Sequence, residues 1–113
     1  MSAERYLRLD DILFSQDSIG QRFGDGGSVG GLARRLRRDN GYVHNVRPIR
    51  VVKYRGEYVS LDNRRLYAMN EGLRENFNVC VEVCNDVESK RELRRKLKRQ
   101  PSYEFHEVRV RGE

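Results

Sequence analysis

A chain of 113 residues with 37% apolar and 35% charged side chains has the size of one domain with a lean core under a highly charged surface. Its 23 Lys and Arg against 17 Asp and Glu give a formal net charge of +6; arginine dominates, and its forked guanidinium suits phosphate-bearing partners such as nucleic acid or nucleotides. No run approaches the roughly 20 apolar residues of a membrane helix and the sequence opens straight into charge, so the expectation is one domain over 1–113, without a membrane partner, in an intracellular reducing compartment, cytoplasmic or nuclear, although compact basic nucleases also serve as secreted toxins.

In chain order, Ile12-Leu13-Phe14 predicts a first strand within Leu7–Ser15. From Gln16 to Gly31 the chain is polar and glycine-rich, predicting a loop. Val29, Leu32, Ala33 and Leu36 then recur at i, i+3, i+4 and i+7, one face of a helix capped by Ser28 and stopped near Gly41. Its opposite face carries Arg34, Arg35, Arg37 and Arg38, candidates for gripping a nucleic-acid backbone. Pro48–Asp62 predicts a hairpin turning at Arg55-Gly56-Glu57. A helix capped by Asp62 or Asn63 should run to about Asn76, with Leu66, Met69 and Leu73 inward. Asn78–Cys84 predicts a strand, Val87–Arg99 a basic helix anchored by Leu93 and Leu97 and stopped by Pro101, and Tyr103–Arg111 a last strand with a bulge. The fold class is therefore α+β, a small mixed sheet with three helices.

Cys80 and Cys84 lie four apart on one face of a strand, about 13 Å by strand rise, too far to bridge; they are expected to be buried free thiols. His44 and His106 have no metal-ligand spacing, and no nucleophile–histidine–acid order stands out.

The strongest constellation is Ser60-Leu61-Asp62-Asn63-Arg64-Arg65, where a strand ends and a helix begins with two arginines. Unpaired amides and the positive helix end favour an anion there. Asn63, Arg64 and Arg65 are the candidate phosphate ligands, with charge-assisted contacts from the arginines. Gln16 and Ser18, on the polar turn Phe14-Ser15-Gln16-Asp17-Ser18-Ile19, are candidates for the other wall of the same site. The same features fit an ordinary capped turn beside solvated arginines. The glycines match no established phosphate loop: Gly-Lys-Ser/Thr is absent, and Gly24 and Gly26 lack the third glycine of a dinucleotide fingerprint.

The order of these elements, with the string Pro48-Ile49-Arg50-Val51 through Gly56-Glu57-Tyr58 to Asp62-Asn63-Arg64-Arg65-Leu66-Tyr67-Ala68, resembles the ParB/sulfiredoxin-like superfamily (the ParB N-terminal-like nuclease domain) over about 8–85. The resemblance implies that Asn63, Arg64 and Arg65 lie on a phosphate-binding turn, that Gln16–Ser18 lines the opposite side, and that 86–113 adds a basic helix and a final strand. Leu61-Asp62-Asn63 stands where the sulfiredoxin type needs a catalytic cysteine, so peroxiredoxin repair is not expected. Nor is a complete partition clamp, which adds a helix-turn-helix domain. Three functions remain open: a nucleic-acid-processing enzyme such as a nuclease, a nucleotide-binding switch or phosphotransferase, and a non-catalytic nucleic-acid-binding module. For the enzyme, Asp62 and Asp17 are the acid–base candidates, and Mg²⁺ or a nucleoside triphosphate is the candidate cofactor; no metal-binding residues can be named.

Overall fold

The computed structural model describes residues 2–98 and 109–111. Five strands form one mixed sheet in the order β1-β6-β4-β5-β2. β1 (Ser2–Arg8) runs antiparallel to β6 (Asn78–Cys84), from Ser2 opposite Cys84 to Arg8 opposite Asn78. β6 is parallel to β4 (Ile49–Tyr54), β4 antiparallel to β5 (Glu57–Ser60), and β5 parallel to β2 (Ile12–Leu13). β3 (Ser18–Ile19) pairs with β7 (Arg109–Val110) as a separate two-stranded ribbon. Three helices, α1 (Val29–Arg38), α2 (Asn63–Gly72) and α3 (Val87–Leu97), complete the α+β fold.

The sheet is covered on both faces because its strands alternate apolar residues in both directions. Leu7, Val79, Val81, Ile49 and Val51 face α1 and α2 and pack with Leu36, Leu66 and Met69. Val52, Val59, Leu61 and Leu13 point the other way and pack on Leu93 of α3. The narrow anchor expected for α3 is thus Leu93, fully buried, with Leu97 partly buried beside it.

The hairpin turns on Arg55 and Gly56, both at positive φ (52° and 83°), the two-residue geometry that suits the twist of paired strands; Glu57 already belongs to β5. Ser28 caps α1 as expected, its hydroxyl accepting from the Gly31 amide. α2 corrects its expected end, stopping at Gly72 rather than near Asn76. The apolar period runs on through Leu73, but that residue is extended and buried. Asn40, just past α1, receives the Arg74 amide and donates to the Leu36 and Gly72 carbonyls, so one side chain closes both helix ends. Gly72 also sits where the two helices touch: a Cβ there would lie 2.5 Å from the Ala33 carbonyl oxygen and 2.7 Å from Leu36 Cβ.

Further differences concern the ends and the loop. β1 precedes the expected first strand and is absent from the sequence reading. The Gln16–Gly31 loop contains β3. Of the expected last strand, Arg109–Val110 is β7 and Arg111 follows it as a turn; Pro101, His106, the bulge and the rest of 103–108 lie outside the described residues. Cys84 is buried but Cys80 only half-buried, and both are free thiols. Cys80 opposes Tyr6 on the edge strand β1, where less protein covers it.

Candidate functional site

The turn between β5 and α2 is held by its own side chains. Ser60 Oγ accepts the Asp62 amide (2.9 Å). Asp62 precedes α2 but makes no side-chain cap, because both carboxylate oxygens turn to arginines. Arg50 Nη2 meets Oδ1 at 2.8 Å, the Arg50 amide meets Oδ2 at 2.8 Å, and Arg65 Nη2 meets Oδ2 at 2.6 Å. Arg50 also reaches both oxygens of Glu92 at 3.2 Å, and Lys96 lies 3.9 Å from Glu92. A chain of alternating charge therefore runs Lys96, Glu92, Arg50, Asp62, Arg65, tying α3 to the start of α2. Burial alone would raise the Asp62 carboxyl, but hydrogen bonds from the Arg50 side chain and amide, with the charges of Arg65 and Arg50, outweigh it and hold the group below its usual range. The Asp62 hydrogen bond is the main reason that Arg50 is held more firmly protonated still.

Asn63 is buried, and its amide is fully used. Oδ1 accepts the Ser15 amide at 3.0 Å, while Nδ2 donates to Ser15 Oγ (2.9 Å) and Gln16 Oε1 (3.0 Å). Ser15 in turn donates its hydroxyl to the Ser60 carbonyl at 2.6 Å. Asn63 thus latches the turn after β2 onto the first turn of α2, bringing Gln16 to the site. Arg65 is similarly committed: beyond Asp62, its Nη1 donates to the Arg47 and Pro48 carbonyls, and its side chain is only 18% exposed. Arg64 is the exposed member, held by one bond to the Arg22 carbonyl.

Two clefts meet here. One, of about 320 Å³, is lined by Gln16, Phe23, Leu61–Arg65, Arg50, Glu92 and Lys96. The other, of about 690 Å³, lies under the glycine loop and the start of α1 and is bordered by Phe23, Leu32, Arg35, Tyr42, Arg47 and Arg65. Phe23 and Arg65 line both, so the two adjoin, as a two-part groove divided by these side chains, at the N-terminal ends of α1 and α2. In the larger cleft three arginines stand against one acid, Asp25, whose carboxylate already accepts the Gly27 amide. The Arg35 guanidinium lies 4.0 Å from the Tyr42 ring centroid, a cation–π contact that holds both side chains at the groove.

The structure therefore brings Gln16, Asp62, Asn63, Arg64 and Arg65 together. It does not bring Ser18 with them: Ser18 lies in β3, where its carbonyl and hydroxyl accept from Arg111. Asp17 is exposed and is not among the groove's lining residues. Arg34, Arg35, Arg37 and Arg38 are all exposed on α1. Arg35 faces the groove, whereas Arg34 and Arg37 border a separate 320 Å³ cleft with Arg22, Tyr67 and Glu71. Among the described residues no three His, Cys, Asp or Glu are grouped so as to hold a metal. Sequence reasoning missed Phe23, Tyr42, Arg47 and Arg50. Arg50 carried one signal, a lone charge between the buried Ile49 and Val51; Phe23 carried another, a single aromatic ring in a glycine-rich run.

Neither a scan against protein-family models nor a search of curated proteins finds a match for this chain.

Proposed function

We propose that this protein binds a phosphate-bearing, nucleic-acid ligand in the groove across the N-terminal ends of α1 and α2. The observation that carries this reading is the convergence of Arg35, Arg47, Arg64 and Arg65 with the rings of Phe23 and Tyr42 on one open, basic surface. Arginines neutralise backbone phosphates whatever the sequence, and an aromatic face such as that of Phe23 can stack an exposed base, while Tyr42 holds Arg35 in place, so together they suit single-stranded nucleic acid. Arg34, Arg37 and Arg38 widen the positive field beside the groove. Among the described residues no side chain caps α2, whose N-cap Asp62 turns its carboxylate to the arginines, and its positive end favours an anion. The resemblance to the ParB/sulfiredoxin-like superfamily, which assigns phosphate to this same turn, supports the reading.

Within the site the roles divide. Arg64 is the exposed cation that reaches phosphate, and Arg35 and Arg47 extend the track. Arg65, Asp62 and Asn63 hold the turn in shape, and the ionised Asp62 carboxylate, paired twice, keeps Arg65 fixed at the groove. A thermal-shift panel tests the reading with short single-stranded and duplex DNA and RNA, and with ATP, ADP, CTP and GTP, each with and without Mg²⁺. A ligand at ~100 times its Kd stabilises by about 2.7 kcal/mol. The expected result is a shift with single strands that Arg64→Ala diminishes. A shift with one free nucleotide alone would replace this reading with the nucleotide switch or phosphotransferase, and cleavage of the same oligonucleotides on a gel would make the domain a nuclease. No shift with any ligand would overturn the proposal.

A further inference from the structure

The sheet ends on one side at β2, two residues long, and on the other at β1, whose seven residues pair with β6 along one edge only. Among the described residues no strand pairs with the outer edge of β1. Natural edges of this length are blunted by a proline, a bulge or an inward-pointing charge; Ser2-Ala3-Glu4-Arg5-Tyr6-Leu7-Arg8 has no proline and no bulge, and its one charge on the Leu7 face, Arg5, is taken up by the Tyr58 hydroxyl, which accepts its guanidinium at 2.7 Å. Near its centre Tyr6 is 65% exposed, one of two large apolar side chains so exposed among the described residues, the other being Val87.

We propose that β1 pairs antiparallel with β1 of a second copy, joining the two five-stranded sheets into one. The strand's own charges select the register. A two-fold axis normal to the sheet sets residues of the same face opposite one another, so it must pass through a residue and not between two. An axis at Glu4 sets Glu4 against itself, and one at Arg5 sets Arg5 against itself, like charges that weaken a pair. Axes at Ala3 or Leu7 engage only Ser2–Glu4 or Tyr6–Arg8. An axis at Tyr6 stacks the two Tyr6 rings, sets Glu4 opposite Arg8 on each side, and places Arg5 beside Leu7. This register alone removes the exposed ring from water and matches opposite charges over Glu4–Arg8.

Analytical ultracentrifugation of the full chain at concentrations up to ~1 mM tests the pairing, since one-strand contacts fall among weak interfaces. The expected species is twice the 13.3 kDa monomer. Tyr6→Arg should leave a monomer; Glu4→Arg and Arg8→Glu should each weaken association at least ~10-fold, and the double swap should restore it, because the pair then attracts with reversed signs. In the wild type, amides of Glu4–Arg8 should exchange more slowly as concentration rises, a readout that needs no variant. A monomer throughout, a dimer indifferent to Tyr6→Arg, a swap that fails to restore association, or exchange at β1 independent of concentration would each overturn the proposal.

Discussion

Asn63→Ala separates a latch from a ligand. In the folded chain Asn63 is 4% exposed and Ser15 wholly buried, and three hydrogen bonds of 2.9–3.0 Å join the Asn63 amide to Ser15 and Gln16. Removing the side chain orphans the Ser15 amide in the interior, which costs about 1–3 kcal/mol. Ser15 Oγ keeps its bond to Ser60, and Gln16 can turn to water, so the other two losses add only about 1 kcal/mol. Alanine's better helix propensity returns roughly 0.5 kcal/mol. The net expectation is about 2–3 kcal/mol, or roughly 10–20 °C in Tm for a domain of this size. Asn63→Asp keeps an acceptor for the Ser15 amide and should fall between alanine and wild type. Urea unfolding followed by far-UV circular dichroism gives the free energies. An alanine variant within about 0.5 kcal/mol of wild type would refute the latch, and if that variant had also lost ligand binding, Asn63 would be a phosphate contact instead.

Gly72→Ala should cost about 1–3 kcal/mol, as overpacking does, because the new Cβ meets the Ala33 carbonyl and Leu36 where α1 and α2 touch; an unchanged Tm would show that the helices part freely. Asp62→Asn should destabilise by about 2 kcal/mol at neutral pH. The folded Asp62 carboxyl titrates below its ordinary 3.8, so its contribution is present above that value and lost as pH falls through the depressed one. The wild-type lead over Asp62→Asn should therefore shrink below about pH 4, and a lead independent of pH would break the ion-pair account. Burial, then Glu82, pushes the Cys84 thiol up to about 11, and burial, then Glu4, raises Cys80. Both should react with a disulfide reagent at pH ~8 far more slowly in the native state than in urea, by ~100-fold for Cys84; equal rates would show that the strand opens readily.

Where local pattern and packing agree, the sequence was legible. The i, i+3, i+4, i+7 period of α1 with its Ser28 cap, the β4–β5 hairpin and β6 are set by neighbours in the chain. β1 was not, because only Leu7 of Ala3–Arg8 is buried, and an exposed edge strand has little apolar alternation to read. The end of α2 was misplaced because the residue that closes it, Asn40, is remote in sequence. The site shows the same division. Arginines at a strand-to-helix turn were visible, but which of them stays available was not. Arg65 is spent on carbonyls of Arg47 and Pro48 and Asn63 on Ser15 and Gln16, partners that only the fold brings near.

The most direct test of the groove is fluorescence anisotropy of labelled single-stranded DNA and RNA, titrated at several salt concentrations with the wild type and with Arg35→Ala/Arg47→Ala/Arg64→Ala. None of these three side chains takes part in the latch or in the Asp62 ion pairs, so the variant should fold. The groove account predicts binding by the wild type that weakens steeply with salt. It also predicts a folded variant with affinity lower by ~100-fold and a log–log salt slope shallower by roughly 2, since three phosphate contacts are lost at about 0.7 each. Equal affinity and slope for the two proteins, or no binding by the wild type even at low salt, would contradict it.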